Sequence, residues 1–489
     1  VYLPFLGREG KIPPFLRRAG RKEDSYNKYW NPYIETLSLK EIREISFRKL
    51  QAQLKWLYEN NKFYRQLWDK LKISPDDIKT PDDVRRLPIM TRRTGELPQF
   101  VQLEAELERL YSLDKESPNY KWQYGDFCTW GDRPELLAQH RQTSGTTGGT
   151  PARMGDTMRD WEYAQEGWCI AHWAQGIRPY DMATWFASYG LFIMWVSFYS
   201  MEKMGAQMIP AGGMDTKTRI NMLTRVPITV LCTTPTYAAY IVDVAEEMGV
   251  DLREETSVRI ITMAGEPLTQ SAKKKIETGW GARAYDTYGS TETGLVWTFE
   301  CADDYPSGNL HVIEDLMYVE VLDPNTLEPV KPGELGEAVI THLGRSSTPV
   351  VRFRTHDLVR VTEEPCKCGR GYARFIGGVL GRSDDMFKVK GTMVFPSLIE
   401  NVVRKFKEVD EFQVIVEDAP SGVGKVFRLI IDPHPSVSPN TYDELKERIR
   451  QQFRTDIYVR PEEVEIVAPG SLPRFEQKAK RITFAKKEK

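Results

Sequence analysis

The sequence predicts an α/β protein: a large N-terminal domain with parallel-type sheets and a β-rich subdomain, followed by a small α+β domain. Three observations predict this. Between residues 180 and 300, β-branched apolar runs alternate with segments of helical periodicity, the pattern of a parallel sheet with crossover helices. From 310 to 361 the chain is strand-rich, with turn signals at Asp323-Pro324 and Lys331-Pro332-Gly333. Beyond about residue 381, helices and strands alternate on a smaller scale. A chain of 489 residues is also too long for one core, and its length suggests two or three domains.

Taken in order, residues 39–72 read as helix, because apolar side chains recur at helical spacing through Leu50, Leu54, Leu57 and Tyr58, then Phe63, Leu67 and Leu71. Residues 182–201 carry no charge and are long enough to cross a bilayer. The polar Thr184, Ser188, Ser197 and Ser200 inside, and Asp181 and Glu202 at the flanks, favour instead a buried strand, a turn at Gly190 and a buried helix. Strands are expected at 228–232, 258–263 and 282–287, with helices at 235–248 and 271–278 between them. In the last hundred residues the expected order is helix 397–409, strands 412–417 and 426–431, helix 442–453 and strand 462–467. The domains divide as 1–381 and 386–489, with the polar hinge 382–385 between them, directly after Gly381.

Hydrophobic residues make up 41% and charged residues 28%, an ordinary globular balance, and the formal net charge of −2 argues for neither a nucleic-acid nor a membrane partner. Six cysteines in so long a chain do not form a disulfide framework. Residues 1–24 mix Pro, Arg, Gly and Glu and do not read as a signal segment. A cytoplasmic enzyme, monomer or homodimer, is the expectation.

The densest signal is Thr143-Ser144-Gly145-Thr146-Thr147-Gly148-Gly149-Thr150-Pro151. Glycines let the backbone turn its N–H groups toward an anion, and the hydroxyls add donors. A polyphosphate needs such a surface. Gly148 is followed by glycine rather than lysine, so this is not a Walker loop. By composition alone a flexible Gly/Ser/Thr linker fits as well.

Further motifs follow in order: Ala264-Gly265-Glu266-Pro267, Tyr288-Gly289-Ser290-Thr291-Glu292, Arg352-Phe353-Arg354-Thr355-His356-Asp357, Gly381-Arg382-Ser383-Asp384-Asp385, and Pro473-Arg474 with Lys478. This series resembles the adenylate-forming superfamily of acyl-CoA synthetases, adenylation domains and luciferases. Tyr189-Gly190-Leu191-Phe192, Phe395-Pro396-Ser397-Leu398-Ile399-Glu400 and Ser471-Leu472-Pro473-Arg474 resemble its phenylacetate–CoA ligase branch, from about residue 40 onward.

The resemblance implies ATP, Mg²⁺, a small carboxylic acid and coenzyme A as ligands. A carboxylate attacks the α-phosphorus of ATP, and a thiol then displaces AMP. It implies phosphate binding by Thr143, Ser144, Gly145, Thr146, Thr147 and Gly148. Adenosine would meet Gly265, Glu266, Pro267, Asp286, Tyr288, Gly289, Ser290 and Thr291, with Tyr288 stacking on adenine. Asp357 would hold the ribose hydroxyls, Arg382 would support ribose or phosphate, and Glu292 would hold Mg²⁺. Lys478 would bridge the substrate carboxylate and the α-phosphate, from a small domain that turns about Asp384. Lys388, Lys390 and Gly391 would line the coenzyme A tunnel. Phe186, Tyr189, Gly190, Phe192, Trp195, Ala264 and Tyr285 would line the acyl pocket, whose aromatic character suggests an aryl or arylacetic acid.

Some positions depart from the family pattern. The phosphate loop holds one extra residue before Pro151, His356 stands where a glycine-like residue is usual, and Gln477 replaces the glycine before Lys478. Ile193-Met194-Trp195-Val196-Ser197 replaces small, glycine-rich residues, leaving the acid open. An adenylyltransferase acting on a carboxylate or an F420-type coenzyme without a thioester, and a silent scaffold, are the competing readings.

Cys301, His311, Cys366 and Cys368 form one further set. Three cysteines and a histidine complete a tetrahedral zinc shell, although Cys-x-Cys departs from the commoner Cys-x-x-Cys spacing. Some phenylacetate–CoA ligase relatives carry the same arrangement around a metal. Four independent reduced side chains is the alternative. Cys128, Cys169 and Cys232 read as ordinary buried thiols.

Overall fold

A computed structural model describes residues 26–91, 101–102, 128–130, 133–142, 153–186, 192–383, 386–389, 392–419, 425–474 and 481–485. They belong to two compact units: Val1–Gly213 with Tyr285–Gly378, and Met214–Ala284 with Val379–Lys489.

The first unit begins with helix Leu39–Asn60, opened by a reciprocal cap in which Ser38 and Glu41 each satisfy the other's backbone N–H. The predicted helix over 39–72 is in fact two. Asn61 leaves helical geometry, and its side chain accepts from Tyr64 N at 3.1 Å, so it starts a new helix, Lys62–Leu71. Met182–Trp185 and Gln207–Pro210 pair in parallel, and the connecting chain contains helix Phe192–Met204. The uncharged 182–201 run is therefore a strand and a helix, with the expected turn at Gly190 outside the described residues. Among the described residues no helix is long and apolar enough to cross a membrane.

The rest of this unit is mostly antiparallel. Met317–Leu322, Leu335–His342, Phe353–Thr362, Arg374–Phe375, Leu310–Val312, Val296–Phe299 and Arg283–Gly289 lie side by side in that order. Helix Met158–Ala174 buries Trp161, Trp168 and Trp173. It packs on helix Phe192–Met204 and on strand Val296–Phe299.

In the second unit, Val230–Thr233 and Ile260–Met263 are parallel, and helix Pro235–Glu247 lies in the connection between them. The C-terminal part is a four-stranded sheet in the order Glu463–Ile466, Lys425–Pro433, Val409–Asp418, Ile482–Phe484. The central pair is antiparallel and both outer strands run parallel to their neighbours. Alternate residues Val414 and Val416, and Phe427, Leu429 and Ile431, meet Leu445, Ile449 and Phe453 of helix Tyr442–Ile457 in one core. Full burial of each such side chain contributes about 1.5–3 kcal/mol. Helix Pro396–Val403 ends six residues earlier than 397–409 predicts. There Arg404 turns its guanidinium onto the Asp410 carbonyl at 2.7 Å and Glu411 at 3.0 Å.

Candidate functional site

Strands Gln139–Gln142 and Arg153–Asp156 form an antiparallel pair, with Gln142 opposite Arg153. The chain joining them is the glycine- and threonine-rich segment, so Thr143, Ser144, Gly145, Thr146, Thr147 and Gly148 lie outside the described residues. The base of the hairpin is fixed. The Asp156 carbonyl accepts from Ala138 N at 2.7 Å, the Ser347 hydroxyl donates to the Gly155 carbonyl, and the buried Asp156 carboxylate pairs with the buried Arg345. Asp160, within the first turn of the following helix, accepts from Ser346 N at 2.5 Å and Ser347 N at 3.2 Å. Burial alone would raise the Asp160 pKa, but the Arg345 charge, the Ser346 N–H and the Ser347 and Thr157 hydroxyls bring it below the usual carboxylate range. Burial draws Arg345 down to about 10, which leaves it protonated at neutral pH. Asp160 is legible in sequence as part of a Thr157–Asp160 capping box; nothing in the sequence marks Arg345.

Strand Arg283–Gly289 carries Tyr285, Asp286 and Tyr288. Tyr285 is buried edge-on to Tyr305, and the Asp286 backbone exchanges bonds with Glu300. The Tyr288 hydroxyl donates to Asp357 Oδ2, and its ring meets Trp297 at 5.2 Å. Gly289 is required by a close approach, since a Cβ there would lie 2.3 Å from the Leu295 carbonyl. The chain can therefore fold back through a turn in which Ser290 N donates to Thr293 Oγ1 at 2.8 Å and Gly294 N to the Ser290 carbonyl at 3.0 Å. Thr291 and the buried Glu292 lie within this turn.

Asp357 lies on strand Phe353–Thr362, opposite an irregularity in the register with Leu335–His342. The preceding His356 has φ 63°, in the left-handed region that favours glycine. Glycine takes this conformation without strain, whereas a histidine needs neighbours that hold it. His356 is held there by Glu337, which accepts its N–H at 3.3 Å and forks onto Arg354 at 2.8 and 2.7 Å.

Phe186 is buried after strand Met182–Trp185, and Trp195 stacks on Tyr199 at 6.2 Å. Phe192 opens its helix; Tyr189 and Gly190 lie outside the described residues.

The second unit holds Ala264, Gly265, Glu266 and Pro267 after strand Ile260–Met263. Ala264 is buried and Gly265 has φ 92°. Glu266 accepts from Thr236 N at 3.2 Å and Thr236 Oγ1 at 2.6 Å, at the start of helix Pro235–Glu247. Arg382 ends the short strand Gly381–Arg382, and Lys388 lies on Phe387–Val389. Asp384, Lys390, Gly391 and Lys478 lie outside the described residues, although both flanks of Lys478 are anchored. Before it, the fully buried Asp432 accepts from Gly470 N and Leu472 N at 2.8 Å and from Arg474 at 3.0 Å. After it, Arg481 forks onto Glu411 at 2.8 and 3.0 Å, and Ile482–Phe484 joins the sheet.

Cys301, His311, Cys366 and Cys368 converge in the first unit, all buried, with ligand atoms within 4.8 Å of one another. Cys301 Sγ and Cys366 Sγ are 3.8 Å apart, and Cys368 Sγ is 3.4 Å from His311 Nε2. A zinc tetrahedron with Zn–S of about 2.3 Å separates sulfurs by about 3.8 Å, so the donor set fits this metal. Hydrogen bonds from the neighbouring thiols, Cys301 foremost, and from His311 favour the Cys368 thiolate. Behind it, Arg370 donates its backbone N–H to Cys368 Sγ at 3.4 Å and its side chain to the buried Glu35 at 2.6 Å.

The first unit thus offers an aromatic ring bonded to a buried carboxylate, a second buried carboxylate in a tight turn, and a separate thiolate-rich cluster. Acceptor-only carboxylates suit vicinal hydroxyls and hard cations. Comparison with known proteins agrees with that chemistry. Residues 108–345 match the AMP-binding enzyme family, and residues 391–486 match the AMP-binding enzyme C-terminal domain. The phenylacetate-coenzyme A ligase of Pseudomonas putida is 30% identical over 78% of this chain and 80% of its own. That of Thermus thermophilus is 28% identical over 91% of this chain and 97% of its own. The fold matches that of a 2-hydroxyisobutyryl-CoA ligase crystallised in a postadenylation state, with a TM-score of 0.84 at 24% identity, covering 98% of this chain and 95% of that one.

Proposed function

We propose that this chain, which belongs to the phenylacetate–CoA ligase family, ligates an aryl or arylacetic acid to coenzyme A through an acyl-adenylate, releasing AMP and pyrophosphate. The observation that carries the reading is the Tyr288 hydroxyl on Asp357, next to the turn that holds Glu292. It supports a ribose-binding carboxylate beside an aromatic adenine platform.

A carboxylic acid is already ionised at neutral pH, so adenylation needs no general base. Its difficulty is the approach of an anion to a polyanion, which positioning and charge neutralisation relieve. Thr143–Gly148 supply N–H and hydroxyl donors to the β- and γ-phosphates. Glu292 is the carboxylate that would hold Mg²⁺, whose charge offsets that of the phosphates. Asp357 and Arg382 hold the ribose side, and Gly265, Glu266 and Pro267 the adenine side. Lys478 brings the missing cation to the α-phosphate. The segment 386–489 then turns about Asp384, withdrawing Lys478 and bringing Lys388, Lys390 and Gly391 to the thiol. Phe186, Tyr189, Phe192, Trp195, Ala264 and Tyr285 line the acyl pocket. Cys301, His311, Cys366 and Cys368 would hold a zinc of structural role, in a cytoplasmic enzyme whose thiols stay reduced.

The test is product analysis with ATP, Mg²⁺, coenzyme A and phenylacetate, benzoate or a short aliphatic acid. The reading expects AMP and acyl-CoA in equal amounts with at least one aromatic acid. ADP as the nucleotide product would overturn it, and AMP formation with no thioester for any acid would favour the adenylyltransferase reading.

A further inference from the structure

Among the buried cations of the described residues that the reaction above does not use, Arg345 links two elements of the candidate site. Arg345 lies on the turn after strand Leu335–His342 and is 2% exposed. Its Nη2 pairs with Asp156, at the end of the strand leaving the glycine- and threonine-rich segment, and donates to Thr348 Oγ1 at 3.1 Å. Its Nη1 reaches the Thr293 carbonyl at 3.5 Å, next to Glu292. That carbonyl also faces His342 Nε2 at 2.7 Å, and Val350 N donates to His342 Nδ1 at 2.9 Å. With Nδ1 accepting, Nε2 carries the proton and donates to Thr293. Ser346 and Ser347 pin the same turn to Asp160, and Ser347 and Thr348 reach the Gly155 carbonyl.

A guanidinium presents its donors in a rigid fork. Here one arm is fixed on the phosphate hairpin and the other on the Glu292 turn, segments 137 residues apart at Asp156 and Thr293. A lone ion pair would require only Asp156. The second arm, and the histidine converging on the same carbonyl, link the two elements.

We propose that Arg345 is a positioning residue for adenylation, setting the phosphate hairpin and the Glu292 turn in one register for the ATP–metal complex. This rests on the reading of Glu292 as the metal-binding carboxylate. It predicts a specific split. Adenylation uses the triphosphate and its metal, whereas thioester formation begins after pyrophosphate has left. Loss of the link should therefore weaken the first half-reaction and spare the second.

Arg345→Met alone removes the buried positive charge that faces Asp156 and Asp160 and would destabilise the fold. The variant of choice is Arg345→Met with Asp156→Asn, supported by the milder Thr348→Val. Cooperative thermal melting identifies folded preparations, and Thr348→Val carries the test if the double variant does not fold. The readouts are the ATP and Mg²⁺ dependence of ATP–pyrophosphate exchange, and thioester formation from supplied acyl-adenylate. The double variant is expected to need at least tenfold more ATP or Mg²⁺ for half-maximal exchange, Thr348→Val about threefold more, each with thioester formation within twofold of the parent. Unchanged ATP and Mg²⁺ dependence, or equal loss in both half-reactions, overturns the proposal. Glu292→Gln is run beside them: a raised Mg²⁺ requirement there alone refutes only the Arg345 link, whereas no change there overturns the reading of Glu292 and the proposal with it.

Discussion

On the reading of the cysteine–histidine cluster as a zinc site, breaking it should abolish zinc binding and cost a measurable part of the stability. The perturbation is Cys366→Ser with Cys368→Ser, which removes one side of the cluster and leaves Cys301 and His311 in place. The structure sets the scale. Cys301 and Cys366 are 65 residues apart, and a cross-link closing a loop of that length contributes about 4 kcal/mol in the chain-entropy model. At about 2–4 °C per kcal/mol for a unit of this order, the melting temperature should fall by roughly 8–16 °C. Serine is nearly isosteric with cysteine, so little of the fall would come from packing. The assay is metal analysis of purified protein together with thermal melting, with and without a strong chelator. The account predicts one zinc per parent chain, none in the variant, and a chelated parent that melts like the variant. Well under one zinc per parent chain, or a variant melting within about 2 °C of the parent, would refute the reasoning.

Three further outcomes follow from the site. Asp357→Ala removes the acceptor for the Tyr288 hydroxyl and, on this reading, for both ribose hydroxyls. Hydrogen bonds to a charged group contribute about 1.5–3 kcal/mol each, so kcat/KM for ATP should fall at least about a hundredfold in pyrophosphate exchange, and a fall under about threefold would remove Asp357 from the nucleotide site. Lys478→Ala should abolish acyl-adenylate formation while largely sparing thioester formation from supplied acyl-adenylate; equal loss in both steps would sink its assignment. His172 gives a pH effect. Burial pushes its pKa from the ordinary 6.5 down to about 3, so the folded chain keeps it neutral while the unfolded chain protonates it. Stability from this group is complete above about pH 6.5 and drains away as the pH falls toward 3. His172→Phe should flatten that acid limb in denaturant titrations; an unchanged slope would show that other groups set it.

Much of this was legible in the residues because periodicity and turn chemistry are local. The strands over 228–232 and 258–263 and the helices between and after them follow from patterning, and the structure moves their ends by only a few residues. The single helix expected over 39–72 fails at Asn61, where one polar side chain serves a new helix and apolar spacing carries no trace of the break. The four zinc-type donors were readable as a chemical set, whereas their convergence depends on strand order: His311 pairs opposite Arg374, on the strand that follows the Cys366–Cys368 turn. Tyr288 and Asp357 lie 69 residues apart, and their bond appears only once Arg283–Gly289 and Phe353–Thr362 join one sheet. Arg345 is the extreme case. Its partners come from two distant segments and its own turn, and an arginine followed by two serines and a threonine looks in sequence like a solvated turn.

The central claim is that an ionised acid attacks the α-phosphate of ATP. Acid-dependent exchange of labelled pyrophosphate into ATP, measured across aryl, arylacetic and short aliphatic acids without coenzyme A, tests it most directly. The account predicts exchange that requires both Mg²⁺ and an acid, is strongest with an aromatic acid, and is lost in Lys478→Ala. Exchange with none of the acids, or exchange that proceeds without an acid, would contradict it.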